Sequence, residues 1–226
     1  MQTRLQPETR RVLIDHVSRY MGQVAGVLRV PASKGAPIDL LHVPATEHKP
    51  YHVFVTAGLS AAPMAVPEGD PTPRWAELLL SLPPDWPLES EALREIEYRW
   101  PLELLAGLAA YPHATGRWLG GGHTFPNADP LEPYVPGLDF CAALIVPPLT
   151  VFSEARRMVG PSGDQVALWA VVPIFERELE LKLAEGVEAL LTRFDRAGVN
   201  ELLDVGRSSV AGLWVELLQK TGGGDV

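Results

Sequence analysis

Phe140-Cys141-Ala142-Ala143-Leu144-Ile145-Val146 and Val166-Ala167-Leu168-Trp169-Ala170-Val171-Val172-Pro173-Ile174 are apolar along nearly their whole length. Both runs have the length of strands, and continuous apolarity is what a strand covered on both faces requires. They are therefore expected at the centre of a sheet. Four shorter extended runs precede them: Val24 to Val30, Ile38 to Val43, Tyr51 to Thr56 and Ala76 to Leu82. In the last, Ala76, Leu78, Leu80 and Leu82 share one face by period two, leaving Glu77 and Ser81 opposite. Pro83-Pro84-Asp85 ends it.

Helical spacing appears in three places. Pro7 can occupy a first turn, Leu13, Val17 and Met21 recur every four residues, and Gly22 supplies a stop. Pro101 is expected to open a second helix through Leu104, Leu105 and Leu108, with Pro112 closing it, after a weakly helical acidic stretch over residues 88–98. From Glu176, the stripe Leu179, Leu183, Val187, Leu190, Leu191 and Phe194 predicts two helices, broken at Gly186 and stopped at Gly198. A last helix or strand is expected over Val210 to Gln219. The 22 prolines and 20 glycines predict many short elements and no long uninterrupted helix.

The order of elements gives an α+β (mixed α/β) fold, one central mixed β-sheet with helices packed against it. A length of 226 residues suits one elaborated domain. The expected organisation is an N-terminal helix over residues 1–22, a single domain over 23–220 and a flexible tail over 221–226.

Charge and cysteine usage narrow the function classes. Residues 1–50 carry seven basic and four acidic groups (+3), and the remainder twelve and twenty-four (−12), giving the net charge of −9. Only four lysines occur, so the clustered cations that neutralise phosphates are missing and nucleic-acid binding is disfavoured. A basic partner matches better. The single Cys141 excludes an internal disulfide and a multi-cysteine metal site, and its apolar flanks place it in the core. No signal-like segment follows Met1, and the charge-free stretch from Pro50 to Pro67 is broken by prolines and by His52, so no membrane span and a cytoplasmic location are expected.

Motifs for chemistry are weak. Ser60 in Gly58-Leu59-Ser60-Ala61-Ala62 lacks the glycine spacing of a nucleophile elbow. Gly120-Gly121-Gly122-His123 carries no following Lys-Ser or Lys-Thr for a phosphate, so a structural turn is the favoured reading. His42, His48 and His52 match no zinc spacing, and no metal or cofactor is implied. Glu77 and His123 remain as an acid–base pair for an enzyme acting on a small substrate, a reading that requires them to converge. Trp75, Trp86, Trp100 and Trp118 lie beside Pro or Gly turns, where such rings cap a core or anchor an interface.

Several ordered blocks resemble the suppressor of fused family: Ile38-Asp39-Leu40, Pro50-Tyr51-His52 with Thr56-Ala57-Gly58-Leu59-Ser60, Trp75-Ala76-Glu77-Leu78, and Leu82-Pro83-Pro84-Asp85-Trp86. Trp100-Pro101-Leu102-Glu103-Leu104-Leu105, Trp118-Leu119-Gly120, Gly122-His123-Thr124 and Val172-Pro173-Ile174 continue the series, so the resemblance runs from about residue 25 to Arg207. It implies a mixed α/β domain, without catalytic activity, that acts by binding another protein. Single-domain bacterial relatives imply an immunity or regulatory role in which a partner is masked, a basic toxin domain being one candidate. After Ser60 this chain has Ala61-Ala62-Pro63-Met64 where animal-type members have an acidic and aromatic loop; Glu68 and Asp70 supply acidic character a little further on. Glu68, Asp70 and Trp86 are accordingly the expected partner-binding residues. A homodimer built on an exposed strand edge is a further reading, so monomer and dimer both remain open.

Overall fold

The computed structural model describes residues 5–30 and 38–212. Its centre is an eight-stranded sheet. The strands are β1 (Gly26–Val30), β2 (Ile38–Val43), β3 (His52–Ala57), β4 (Trp75–Leu82), β5 (Thr124–Pro126), β6 (Phe140–Val146), β7 (Arg157–Val159) and β8 (Gln165–Phe175). Seven of them run in the order β1-β2-β3-β4-β8-β6-β5, and β7 pairs with the start of β8. All pairings are antiparallel except β4 with β8, whose parallel register sets Trp75 opposite Val166 and Leu79 opposite Ala170. The sheet is thus mixed, and the two expected central strands are central.

Both faces are covered. Helix α1 (Pro7–Tyr20) contributes Leu13 and Val17 to one core, joined there by α3 (Glu176–Glu185) through Leu179 and Leu181 and by α4 (Val187–Ala197) through Leu190 and Phe194. Helix α2 (Ile96–Thr115) covers the other face with Leu102, Leu105, Ala106 and Ala109 against Leu40, Phe54, Leu78 and Leu80. This double cover changes the reading of β4. Glu77 and Ser81, expected on a polar face, are both fully buried, because the face opposite Leu78 and Leu80 carries its own core, with Leu79 in it.

Helix α2 also departs from expectation. Pro101 and Pro112 lie inside a helix of 20 residues rather than at its ends. Each removes one N–H from the ladder, so Glu97 and Leu108 lose their usual i+4 donors. The buried residues along α2, Pro101 and Pro112 among them, supply the packing that offsets this loss. The helix ends at Gly116, in the left-handed conformation at φ 67°. Gly198 (φ 69°) closes α4 in the same way, and Gly186 separates α3 from α4 where the sequence places the break. Residues 88–98 form only a 3-10 turn, Ala92–Arg94, and the first residues of α2.

At its far end β4 parts from β8, and a returning segment enters the gap. Ser81 N donates to Glu201 O (3.1 Å) and Leu203 N to Ser81 O (2.9 Å), a one-residue parallel bridge at Ser81 and Leu202. No helix among the described residues is long and apolar enough to cross a membrane. The last element expected over Val210 to Gln219 lies outside the described residues beyond Gly212, as does the tail over 221–226.

Candidate partner-binding surface

The approach to β4 builds the first candidate feature. Pro63, Pro67, Pro71 and Pro73 restrict the backbone of the connection, Met64 N donates to Arg74 O (2.7 Å) to close its base, and Gly69 turns at φ 86°. The result is an open depression of about 540 Å³ lined by Val66, Pro67, Glu68, Gly69, Asp70 and Arg74. Glu68 is exposed on it. Asp70 accepts the Thr72 amide through Oδ1 (2.8 Å). The Thr72 hydroxyl and amide hold its carboxyl below the usual range, with the attraction of His123 adding to the effect. Asp70 is therefore an oriented anion at neutral pH.

The Gly120–Gly122 turn abuts this loop. A Cβ on Gly120 would stand 2.8 Å from the Thr72 Cγ2, and one on Gly121 would stand 3.0 Å from the Trp169 ring. Gly122 has φ 83° and faces Val187. Close approach and backbone conformation account for the three glycines, so the turn is structural. His123 follows, its ring edge-on to Trp118 at 6.0 Å. Burial and the Lys182 charge push its imidazole below the usual range, against the opposite pull of Asp70.

Glu77 lies elsewhere in function. Its Oε2 accepts the Thr56 hydroxyl (2.5 Å) and the Leu59 amide (3.3 Å), and its Oε1 accepts the Gly58 and Ser60 amides (3.0 Å each) and the Ser60 hydroxyl (2.6 Å). The carboxyl caps the point where β3 turns away into the 3-10 turn Leu59–Ala61. Burial lifts its pKa, against the hydrogen bonds of Ser60 and Thr56 that lower it. Among the described residues no hydrogen bond joins Glu77 to His123, and Glu77 is closed to solvent. Buried and saturated with hydrogen bonds, Glu77 is not open to a substrate as the enzyme reading requires.

Trp86 stands apart from Glu68 and Asp70. The loop precedes β4 and Trp86 follows it, and eight residues of strand separate their ends by about 26 Å. There Trp86 Nε1 donates to Tyr98 O (2.9 Å), and the two rings meet edge to face at 6.4 Å, both accessible at the surface. Exposed Asp85, Glu89, Glu91, Glu95 and Glu97 neighbour the pair along the chain. The expected three-residue site is thus two acidic surfaces at opposite ends of one strand.

The histidines form no metal cluster: among the described residues no group of three His, Cys, Asp or Glu converges. His42 and His52 instead bond to each other, Nε2 to Nδ1 at 2.9 Å. His48 is exposed, and Cys141 is buried, its thiol raised by burial and by nearby carboxylates.

Two carboxylates invisible as partners in the sequence hold the return of the chain. Glu178, on α3, receives both Nη atoms of Arg207 (2.7 and 2.8 Å) and the amides of Phe175 (3.1 Å) and Val210 (2.9 Å). Glu201 receives the amides of Leu149 (2.9 Å) and Thr150 (2.8 Å) and the Thr150 hydroxyl (2.7 Å).

The family model described as suppressor of fused protein matches residues 34–208. Among solved structures, one of the Sufu–Fu complex superposes with a TM-score of 0.63 at 19% identity, covering 97% of this chain and 99% of that one. A putative suppressor of fused homologue from Neisseria gonorrhoeae gives 0.63 at 19% identity, covering 91% and 98%. Drosophila Suppressor of Fused gives 0.60 at 17% identity, covering 96% of this chain and 54% of the larger fly protein. No curated protein sequence matches. With the family pattern matched across three quarters of its length and the same fold in these relatives, the chain belongs to the suppressor of fused family.

Proposed function

We propose that the chain is a non-catalytic protein-binding domain that masks a partner protein in an immunity or regulatory role. The observation that carries this reading is the proline-framed depression with Glu68 and the oriented Asp70 on it beside Arg74, on a chain of net charge −9. Such a surface suits a basic partner, a toxin domain being one class, and charge complementarity raises the rate of encounter. Trp86 with Tyr98 supplies an aromatic anchor at the other end of β4. The caging of Glu77 supports a non-enzymatic role. The structure of a Sufu–Fu complex supports protein binding as a use of this fold. The reading carries a cytoplasmic location with it.

The test is a pull-down at low salt from cells native to the chain, with the wild type and Glu68→Lys/Asp70→Lys as paired baits, read by mass spectrometry. A stoichiometric protein captured by the wild type and lost by the variant is expected. Identical capture by both baits removes the loop from the account. A homodimer is favoured by one observation: among the described residues no strand pairs on the outer side of β1. Light scattering at two concentrations decides it.

A further inference from the structure

The segment between β6 and β7 is held tightly yet leaves its largest apolar side chains outside. Four clasps fix its backbone: the Glu201 carboxylate on the Leu149 and Thr150 amides, Tyr51 Oη donating to Thr150 O (3.2 Å), Arg156 Nε donating to Pro148 O (3.0 Å), and the His16 ring nitrogen on Ala155 O (2.9 Å). Ala155 N closes a turn onto Phe152 O (2.9 Å). Phe152 is nevertheless 73% exposed and Leu149 60%. A fixed backbone presenting a solvated aromatic ring is the arrangement of an interface anchor, since ordering costs are already met in the free protein.

Two exposed cations flank the segment. Exposed Arg157 lies five residues beyond Phe152, and exposed Arg19 sits one turn from His16 on the helix that packs against this segment. Among the described residues neither Arg19 nor Arg157 forms an ion pair, whereas Arg10, Arg11, Arg29, Arg94, Arg99 and Arg207 each do. Glu154 is the one carboxylate between Phe152 and Arg157, and it is engaged by the Ser153 hydroxyl (3.0 Å).

We infer that the Leu149–Phe152 surface binds an acidic amphipathic segment of another protein, its apolar side chains on Phe152 and Leu149 and its carboxylates on Arg19 and Arg157. The probes are two short synthetic helices with leucines at i, i+3, i+4 and i+7, one carrying glutamates elsewhere and the other lysines, followed by fluorescence anisotropy with the full chain. The acidic helix is expected to bind at least about tenfold more tightly than the basic one. Phe152→Ser and, separately, Arg19→Glu/Arg157→Glu should each weaken it about tenfold with an unchanged unfolding temperature, and Leu149→Ser by less. Equal binding of the two helices, binding of neither, or binding indifferent to Phe152→Ser overturns the proposal. So does a Phe152-dependent attachment to vesicles of anionic lipid that exceeds binding of the acidic helix, which would assign the surface to a membrane.

Discussion

Ser60 donates its hydroxyl to Glu77 Oε1 at 2.6 Å, and the amide of the same residue bonds the same oxygen at 3.0 Å. Two residues that each look reactive in isolation are thereby used up on one another. Glu77 works as a cap for the exit of β3, and its replacement should be read in stability. Glu77→Gln turns an NH2 donor toward groups that themselves donate, and should cost about 1–3 kcal/mol. Denaturant unfolding measures this, and partner capture should be unaffected.

Glu178 and Arg207 form a bidentate pair beneath the rings of Phe140, Phe175 and Phe194, whose centroids lie 5.0, 4.5 and 5.5 Å from the guanidinium. Arg207→Met strands a buried carboxylate and should cost about 3–5 kcal/mol. Replacing both, as Glu178→Leu/Arg207→Met, should cost less than the sum of the single changes. A double-mutant cycle by urea unfolding checks the coupling.

Acid should weaken the β2–β3 hairpin. The Ala45 amide donates to His52 Nδ1 (3.2 Å), so His42 Nε2 must carry the proton shared with that nitrogen. Burial, with the charges of His52 and Lys49, pulls His42 down to about 4. The unfolded chain then binds the extra proton first, so this contribution is complete above about pH 6.5 and is lost as pH falls toward 4. For a half-buried ring the loss is about 1–2 kcal/mol after solvent screening. His42→Phe should flatten the slope of stability against pH across that window.

Gly120 and Thr72 couple the glycine turn to the acidic loop. Gly120→Ala sets a methyl 2.8 Å from the Thr72 Cγ2 and should cost about 1 kcal/mol or more while displacing the loop. Thr72→Ala in the same chain should recover most of the stability. Thermal melts of the single and double variants decide the matter.

Strands were legible where burial leaves a local trace. Ile38–Val43 and Phe140–Val146 are apolar enough to mark their own ends, and Gly186 and Gly198 mark helix ends by conformation. Three-residue strands β5 and β7 exist only by pairing with neighbours and carry no period to read. Proline misleads in α2 because tertiary burial outweighs a lost ladder bond. The candidate surface could be named from the sequence only by residue type, because its geometry depends on pairings far apart in the chain. Glu68 and Asp70 share a loop and stay together, and the strand read over Ala76 to Leu82 already separates them from Trp86, but nothing in the sequence shows that Glu201 meets Leu149 from 52 residues away. Such contacts follow from topology.

The most direct test of the account is the association rate of the captured partner with the purified chain, measured across a range of salt concentrations for the wild type and Glu68→Lys/Asp70→Lys. Steering by the acidic loop predicts a rate that falls steeply with salt and drops about tenfold in the variant at low salt, with dissociation changed little. An association rate indifferent to both salt and charge reversal would contradict it.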